Sequence, residues 1–357
     1  MRICGQILSG TIVLGLVGCA STPKQVSRPP DFIPARPALP RVAASDYRTM
    51  PPPGMVNSLD NVVRSFDGVL GVAVMRTDGS WLYVHEGDGF FPQQSVSKLW
   101  VALTVFDAVD SGRLSLTQNV SITKDDLTLF HQPISNMVGA EGYTTSVSEL
   151  LLRAMTQSDN TANDSLLRTV GGPDAVRTML ARKGITGVRF GPGERLMQSK
   201  TAGLSWRQSY SLNGNFFKAR NAVPLETRQK ALATYLADPP DGAQPQAIAR
   251  ALARLRQGAL LSPNSTRVLL SLMNEAQTGK QRVYGGVPVS WSYGHKTGTG
   301  QELRGLSTGY NDVGIMSAPD GTSYTVAVMI ASTRMPIPSR QRMMQGVAAA
   351  IGATHRK

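Results

Sequence analysis

The chain has 357 residues, 41% apolar and 17% charged, which is enough to bury a substantial core and rules out disorder throughout. Its 37 Lys+Arg against 24 Asp+Glu leave a net charge of +13. The only two cysteines, Cys4 and Cys19, sit at the N-terminus. The body of the chain therefore carries no disulfide, no thiolate metal site and no cysteine nucleophile.

Arg2 and an apolar stretch from Ile7 to Gly18 open the chain. Such a stretch would span about 18 Å as a helix, well short of a roughly 30 Å hydrocarbon layer, and reads as a signal h-region. Leu16-Val17-Gly18-Cys19 resembles a bacterial lipoprotein signal box. The resemblance implies that residues 1–18 are removed and that Cys19 is lipidated; the alternative is an ordinary secretory signal with an incidental cysteine. Ala20 and Ser21 follow without an aspartate, so the expected address is the periplasmic face of the outer membrane. Export, scattered arginines and the lack of any nucleic-acid motif set nucleic acid aside as a partner. Residues 19–57 are proline-rich and include Pro51-Pro52-Pro53. Proline lacks an amide proton and fixes φ, so this stretch is expected to be an extended tether.

Gly71–Met75 and Trp81–Val84 flank Thr77-Asp78-Gly79-Ser80, a hairpin signal. A helical pattern follows from Ser95 to Ser111, with Leu99, Ala102, Leu103 and Phe106 on the helical period. Further helices are predicted over 147–156, 160–170, 173–183, 244–257 and 263–275. Strands are predicted over Val289–Lys296, Tyr310–Ser317 and Tyr324–Ala331, then a last helix over Arg340–Ile351. Strands at both ends with helices between them predict an α+β fold: one antiparallel sheet, flanked by helices and interrupted by an all-α domain.

Ser95-Val96-Ser97-Lys98 places a hydroxyl and an amine three residues apart on one helical face, with the serine near the positive helix end. A buried lysine of lowered pKa can take a serine proton. The pattern alone is cheap, since Ser21…Lys24 and Ser121…Lys124 match it too. Ser158-Asp159-Asn160 follows, and Lys296-Thr297-Gly298 occurs once, late, on a predicted strand. The force of the three lies in their order and setting.

From about Leu70 to Ile351 the chain resembles class A serine β-lactamases and, more distantly, penicillin-binding proteins, on these three motifs. Thr161-Ala162-Asn163-Asp164, Gly171-Gly172-Pro173, Asn311-Asp312 and Pro319-Asp320-Gly321 are also similar to the family. The resemblance implies a catalytic domain over 58–354, with an α/β part near 58–94 and 276–354 and a helical part near 95–275. It implies Ser95 as nucleophile, Lys98 as its proton acceptor and Ser158 as proton donor to the leaving nitrogen. Asn160 would hold the substrate's side-chain amide, and Lys296 and Thr297 its carboxylate. The backbone amides of Ser95 and Thr299 would form the oxyanion hole. Phe130 falls at an aromatic gate position or simply packs in the core. Asp159 is expected to tie helix to loop. Arg342, starting the last helix, is a candidate carboxylate-binding arginine or a solvated side chain. No metal or cofactor is implied, and a monomer taking a small β-lactam or muropeptide is expected.

The departures concern deacylation. Glu194 aligns with the family's water-activating glutamate and Gln198 with its asparagine partner. The arginine that braces this loop is replaced by Pro192, and the brace's aspartate appears as Asp241, 47 residues after Glu194. An insertion over about 199–238 therefore interrupts the loop, carrying Trp206, Tyr210, Phe216, Phe217 and a predicted helix from Pro224 to Leu236. It either covers the site entrance or decorates the periphery, and its single glutamate, Glu226, rivals Glu194 as general base. A D-alanyl-D-alanine peptidase or transpeptidase, and a sensor lipoprotein that acylates and stops, are the alternatives to a β-lactamase. A Ser-His-Asp hydrolase and a zinc enzyme lack the required elbow, histidine pairs and cysteines.

Overall fold

The first helix, α1 (Pro53–Val63), begins inside the stretch expected to be tether. In the computed structural model, which describes residues 49–355, Pro53 stands in the helix's first turn. There a missing N–H costs nothing and the fixed φ suits a helix. The proline run thus ends in a helix rather than excluding one, and the folded part starts near Pro53, not at residue 58. Residues 1–48, with the signal segment, Cys19 and most of the expected tether, lie outside the described residues.

Five strands form the main sheet: β1 (Val69–Arg76), β2 (Leu82–His85), β3 (Ser292–Thr299), β4 (Leu306–Ser317) and β5 (Ser323–Thr333). Their order is β2-β1-β5-β4-β3, all neighbours antiparallel, with the two-residue strand Glu302–Leu303 paired to the start of β4. Both faces are covered. Along β5, Tyr324, Val326, Val328 and Ile330 join one core, and Ala327, Met329 and Ala331 the other, the two-residue period of a strand. The first face carries α1 and the last helix, α11 (Ile337–Thr354), where Met55, Leu59, Val63, Met344, Val347 and Ile351 are buried. The second face carries the helical part.

That part is built around α2 (Lys98–Asp110), buried from Lys98 through Ala108. It follows a 3₁₀ turn over Gln94–Ser97, so Ser95 sits on a tight turn before the helix rather than inside it. Around it lie α3 (Val147–Leu152), α4 (Asn160–Thr169), α5 (Gly172–Arg182), α6 (Glu194–Thr201), α9 (Pro245–Arg256) and α10 (Pro263–Asn274). The helix predicted over 147–156 changes after Leu152 into a π-helical turn, Arg153–Gln157. The predicted strand Val289–Lys296 is instead Ser292–Thr299, which brings the whole Lys-Thr-Gly motif onto the sheet edge.

The insertion contributes α7 (Asn215–Ala222) and α8 (Leu225–Ala237). Phe216 is buried with Leu129 and Ala202, and Leu204, Trp206 and Tyr210 pack on them. This small apolar cluster accounts for three of the four aromatics, Phe217 staying exposed at its edge against Phe216, and it lies beside the cleft described next.

Candidate active site

Three backbone features converge on one cleft of about 460 Å³. The 3₁₀ turn presents Ser95, the π-helical turn ends in Ser158, and β3 supplies Lys296, Thr297 and Thr299. Gly298 is what lets β3 lie flush against the turn: a Cβ there would stand 2.3 Å from the Gln93 carbonyl oxygen. Ser158 holds φ 64°, Phe130 φ 59° and Gln94 φ 54°, left-handed conformations that non-glycine residues adopt at a cost. Three of the six such residues in the described chain therefore stand around this site. Asp159 supports Ser158 from behind, accepting from the Ala162 N–H at 2.9 Å as the cap of α4 and from the Ile134 N–H at 2.7 Å.

Lys98 is 1% exposed. Its Nζ donates to Ser95 Oγ at 2.8 Å and to Asn160 Oδ1 at 2.7 Å. Asn160 Nδ2 donates in turn to the Leu129 carbonyl and, at 3.3 Å, to Glu194 Oε1. Burial lowers the Lys98 pKa, against the opposing pull of Glu194, Asp164 and Asp159. Burial likewise raises Glu194, which the Lys98 charge opposes. Burial thus shifts each group toward its neutral form while their opposite charges resist the shift, and the Lys98 amine lies within hydrogen-bond reach of a serine hydroxyl. A second buried lysine, Lys296, donates to Ser158 Oγ at 2.8 Å, and burial, then the Lys98 charge, pushes its pKa well down.

All ten expected site residues on the described chain fall at this cleft or in its wall. Ser95, Phe130, Ser158, Asn160, Glu194, Gln198, Thr297 and Thr299 line it, and Lys98 and Lys296 bond to liners from behind. Glu226 does not line it and lies exposed in the first turn of α8, so of these two rivals Glu194 is the one at the cleft. Arg342 is a correction: it is exposed, bonds Ser339 at 3.0 Å and lines a separate hollow with Val62 and Met343. Two other arginines line the cleft, Arg220 and Arg282; Arg282 donates to the Gly298 and Asn311 carbonyls at 2.8 and 2.6 Å and to Thr299 Oγ1 at 2.6 Å. Arg282 sits on an irregular segment with no motif around it, so only the folded edge of β3 reveals it. His295 is fully buried against Asp312, Nδ1 to Oδ1 2.7 Å, and no described histidine bonds Ser95.

The insertion lies against the cleft wall, placing Arg220 in it, rather than standing apart at the periphery. Phe130 is 37% exposed and meets Phe216 edge-on at 5.2 Å and Phe217 at 5.8 Å. The insertion also supplies what Pro192 cannot. Asp241, buried and without an arginine, accepts from the Tyr235 hydroxyl of α8 at 2.9 Å and from the Gln94 N–H at 2.8 Å. Gln94 Nε2 donates back to the Tyr235 oxygen at 2.6 Å, and Gln198 Nε2 donates to Gln94 Oε1 at 2.7 Å. Hydrogen bonds from uncharged donors thus take the place of an ion pair as the loop's brace.

The fold and the site together fit a serine hydrolase, with a buried lysine amine on the serine hydroxyl. A model of the beta-lactamase enzyme family matches residues 55–354. The chain is 26% identical over 291 residues to the VEB-1 β-lactamase of Pseudomonas aeruginosa, covering 81% of this chain and 86% of that enzyme. It is 27% identical over 279 residues to the PER-1 extended-spectrum β-lactamase of the same organism, covering 78% and 80%. A β-lactamase structure from Chitinophaga pinensis superposes with a TM-score of 0.69 at 26% identity, covering 84% of this chain and 99% of that one. The chain belongs to the beta-lactamase enzyme family and is a hydrolase of the class A type.

Burial raises Asp241 from 3.8 to about 6, so the folded state binds its proton more tightly than the unfolded chain. Between those values the folded protein carries more protons, and stability falls as pH rises. Asp241→Asn should therefore flatten the decline in Tm between about pH 4 and pH 6. An unchanged slope in calorimetry would show that Asp241 does not titrate there.

Proposed function

We propose that this protein hydrolyses β-lactam antibiotics through an acyl-enzyme on Ser95. The observation that carries the reading is the continuous hydrogen-bonded path Ser95–Lys98–Asn160–Glu194, which joins a nucleophile to two proton acceptors. In acylation Ser95 Oγ attacks the lactam carbonyl and its proton passes to Lys98. The C–N bond then breaks as Ser158 gives a proton to the nitrogen, so the serine proton is in effect moved onto the leaving group. The N–H groups of Ser95 and Thr299 hold the developing oxyanion. Lys296, Thr297 and Arg282 meet the ring carboxylate, and Asn160 meets the side-chain amide. In deacylation Glu194, with Gln198 beside it, takes a proton from a water that attacks the ester carbon, and Ser95 recovers its proton as the ester breaks.

The purified domain should turn over a chromogenic cephalosporin, and Ser95→Ala should abolish this. Glu194→Gln should slow turnover by about 10²-fold or more, the scale of general-base catalysis, and leave a covalent adduct on Ser95 visible by intact mass. Stoichiometric acylation of the unmutated protein without turnover would replace the hydrolase by a sensor or peptidase.

We propose further that Cys19 is lipidated after removal of residues 1–18 and that the domain stands on the periplasmic side of the envelope, at the outer membrane. The signal box and the proline-rich stretch after it support this. The full-length protein should fractionate with outer membranes, and Cys19→Ser should release it to the soluble periplasm; a soluble unmutated protein would contradict the anchor.

A further inference from the structure

Arg220, near the C-terminal end of α7, projects from the insertion into the wall of the same cleft. Its guanidinium stands over Phe217, 5.2 Å from the ring centre, and 6.0 Å from that of Phe216. Its Nη1 donates to Gln301 Oε1 at 3.1 Å, while its Nε is buried with no acceptor. No carboxylate among the described residues lies within ion-pair distance of it. The charged group that acts on it is Arg228, a second cation, and desolvation comes first among the causes that lower its pKa. Glu302 lines the cleft but does not pair with it.

A flexible arginine on a surface insertion would ordinarily carry its charge out to water. Here two rings and a glutamine hold it at the cleft wall, partly desolvated and uncompensated, which costs free energy unless an anion offsets it. The cleft already has one anion-binding set in Lys296, Thr297 and Arg282. Arg220 lies beyond Thr299 along the same edge, on the side of Gln301. Gln301 Nε2 donates to the Gln198 carbonyl and to its Oε1 at 2.9 and 3.0 Å, in the wall that holds Asn160 and Glu194. A ring carboxylate held by Lys296 directs the acyl side chain toward that wall.

We propose that Arg220, steadied by Gln301, Phe216 and Phe217, forms a second anion subsite that takes a carboxylate carried on the acyl side chain, so that the enzyme selects dianionic β-lactams. The proposal rests on the β-lactam-hydrolysing reading above. The two rings give it strength: they shield part of the guanidinium from water, where a charge-assisted contact is weakest.

The test compares carbenicillin with benzylpenicillin, which differ by one side-chain carboxylate. In the unmutated enzyme, kcat/KM for carbenicillin relative to benzylpenicillin should fall as salt rises. Arg220→Gln should lower kcat/KM for carbenicillin by about tenfold or more, chiefly through KM, and leave benzylpenicillin within about threefold, as expected for loss of one hydrogen-bonded charge contact. Arg220→Lys should restore part of the loss. Equal losses on both substrates, with Tm unchanged, would assign Arg220 to holding the roof and overturn the subsite. An unchanged ratio would overturn it as well. Turnover of neither penicillin by the unmutated enzyme, with a chromogenic cephalosporin still cleaved, would overturn the subsite alone; failure on all three would overturn the function on which it rests.

Discussion

A lysine amine with 1% exposure is the constraint around which this molecule is arranged. Lys98 stands in the first turn of α2, which is buried on every side from Lys98 through Ala108, so its amine is withdrawn from bulk water. An unpaired ammonium there would cost several kcal/mol. The chain meets that cost with Ser95 and Asn160 as acceptors and with the nearby carboxylates Glu194, Asp164 and Asp159. Asn160 opens α4, Glu194 opens α6 and Ser95 lies on the turn before α2, so satisfying one amine fixes three elements relative to one another. Of these groups, Ser95, Asn160 and Glu194 are the ones to which the proposed chemistry gives a part.

The insertion is the feature that separates this chain from a minimal version of its fold. It acts on the site at three points. Phe216 and Phe217 cover Phe130, Arg220 reaches Gln301, and Tyr235 supports Asp241 beneath Gln94. Gln94 is the residue before the nucleophile, held at φ 54° with its backbone N–H on Asp241 and its side chain on Tyr235 and Gln198. A loop that lost its ion pair at Pro192 has thereby become a buried polar network, in which each member's orientation depends on the next.

Motif order made the acylating residues legible in the chain: Ser95 and Lys98 by spacing, Ser158 and Lys296 by setting. The sheet was legible from runs of strand-forming residues between turn signals rather than from alternation, because both faces of β1, β4 and β5 are buried. Residues whose role arises only from tertiary contact were not. Arg282 sits 14 positions before Lys296 without a local signal and becomes significant only against Gly298, Thr299 and Asn311. Tyr235 reads as one more apolar position of α8 until Asp241 meets it. Helix α1 was hidden for a different reason. Its first-turn proline has the same φ in an extended tether as in a helix, and the difference lies in Met55, Leu59 and Val63 finding α11. Arg342 misled because a basic residue in a helical segment near the C-terminus looks alike whether it faces the cleft or water.

The central claim is that Ser95 is acylated in this cleft and that Glu194 serves the water that frees it. A crystal structure of the protein soaked with a slowly hydrolysed β-lactam tests it most directly. The account predicts continuous density from Ser95 Oγ to the opened lactam carbonyl, the carbonyl oxygen within about 3 Å of the Ser95 and Thr299 N–H groups, and a water between Glu194 and the ester carbon. Density attached to any other residue, or an ester carbonyl turned away from those two amides, would contradict it.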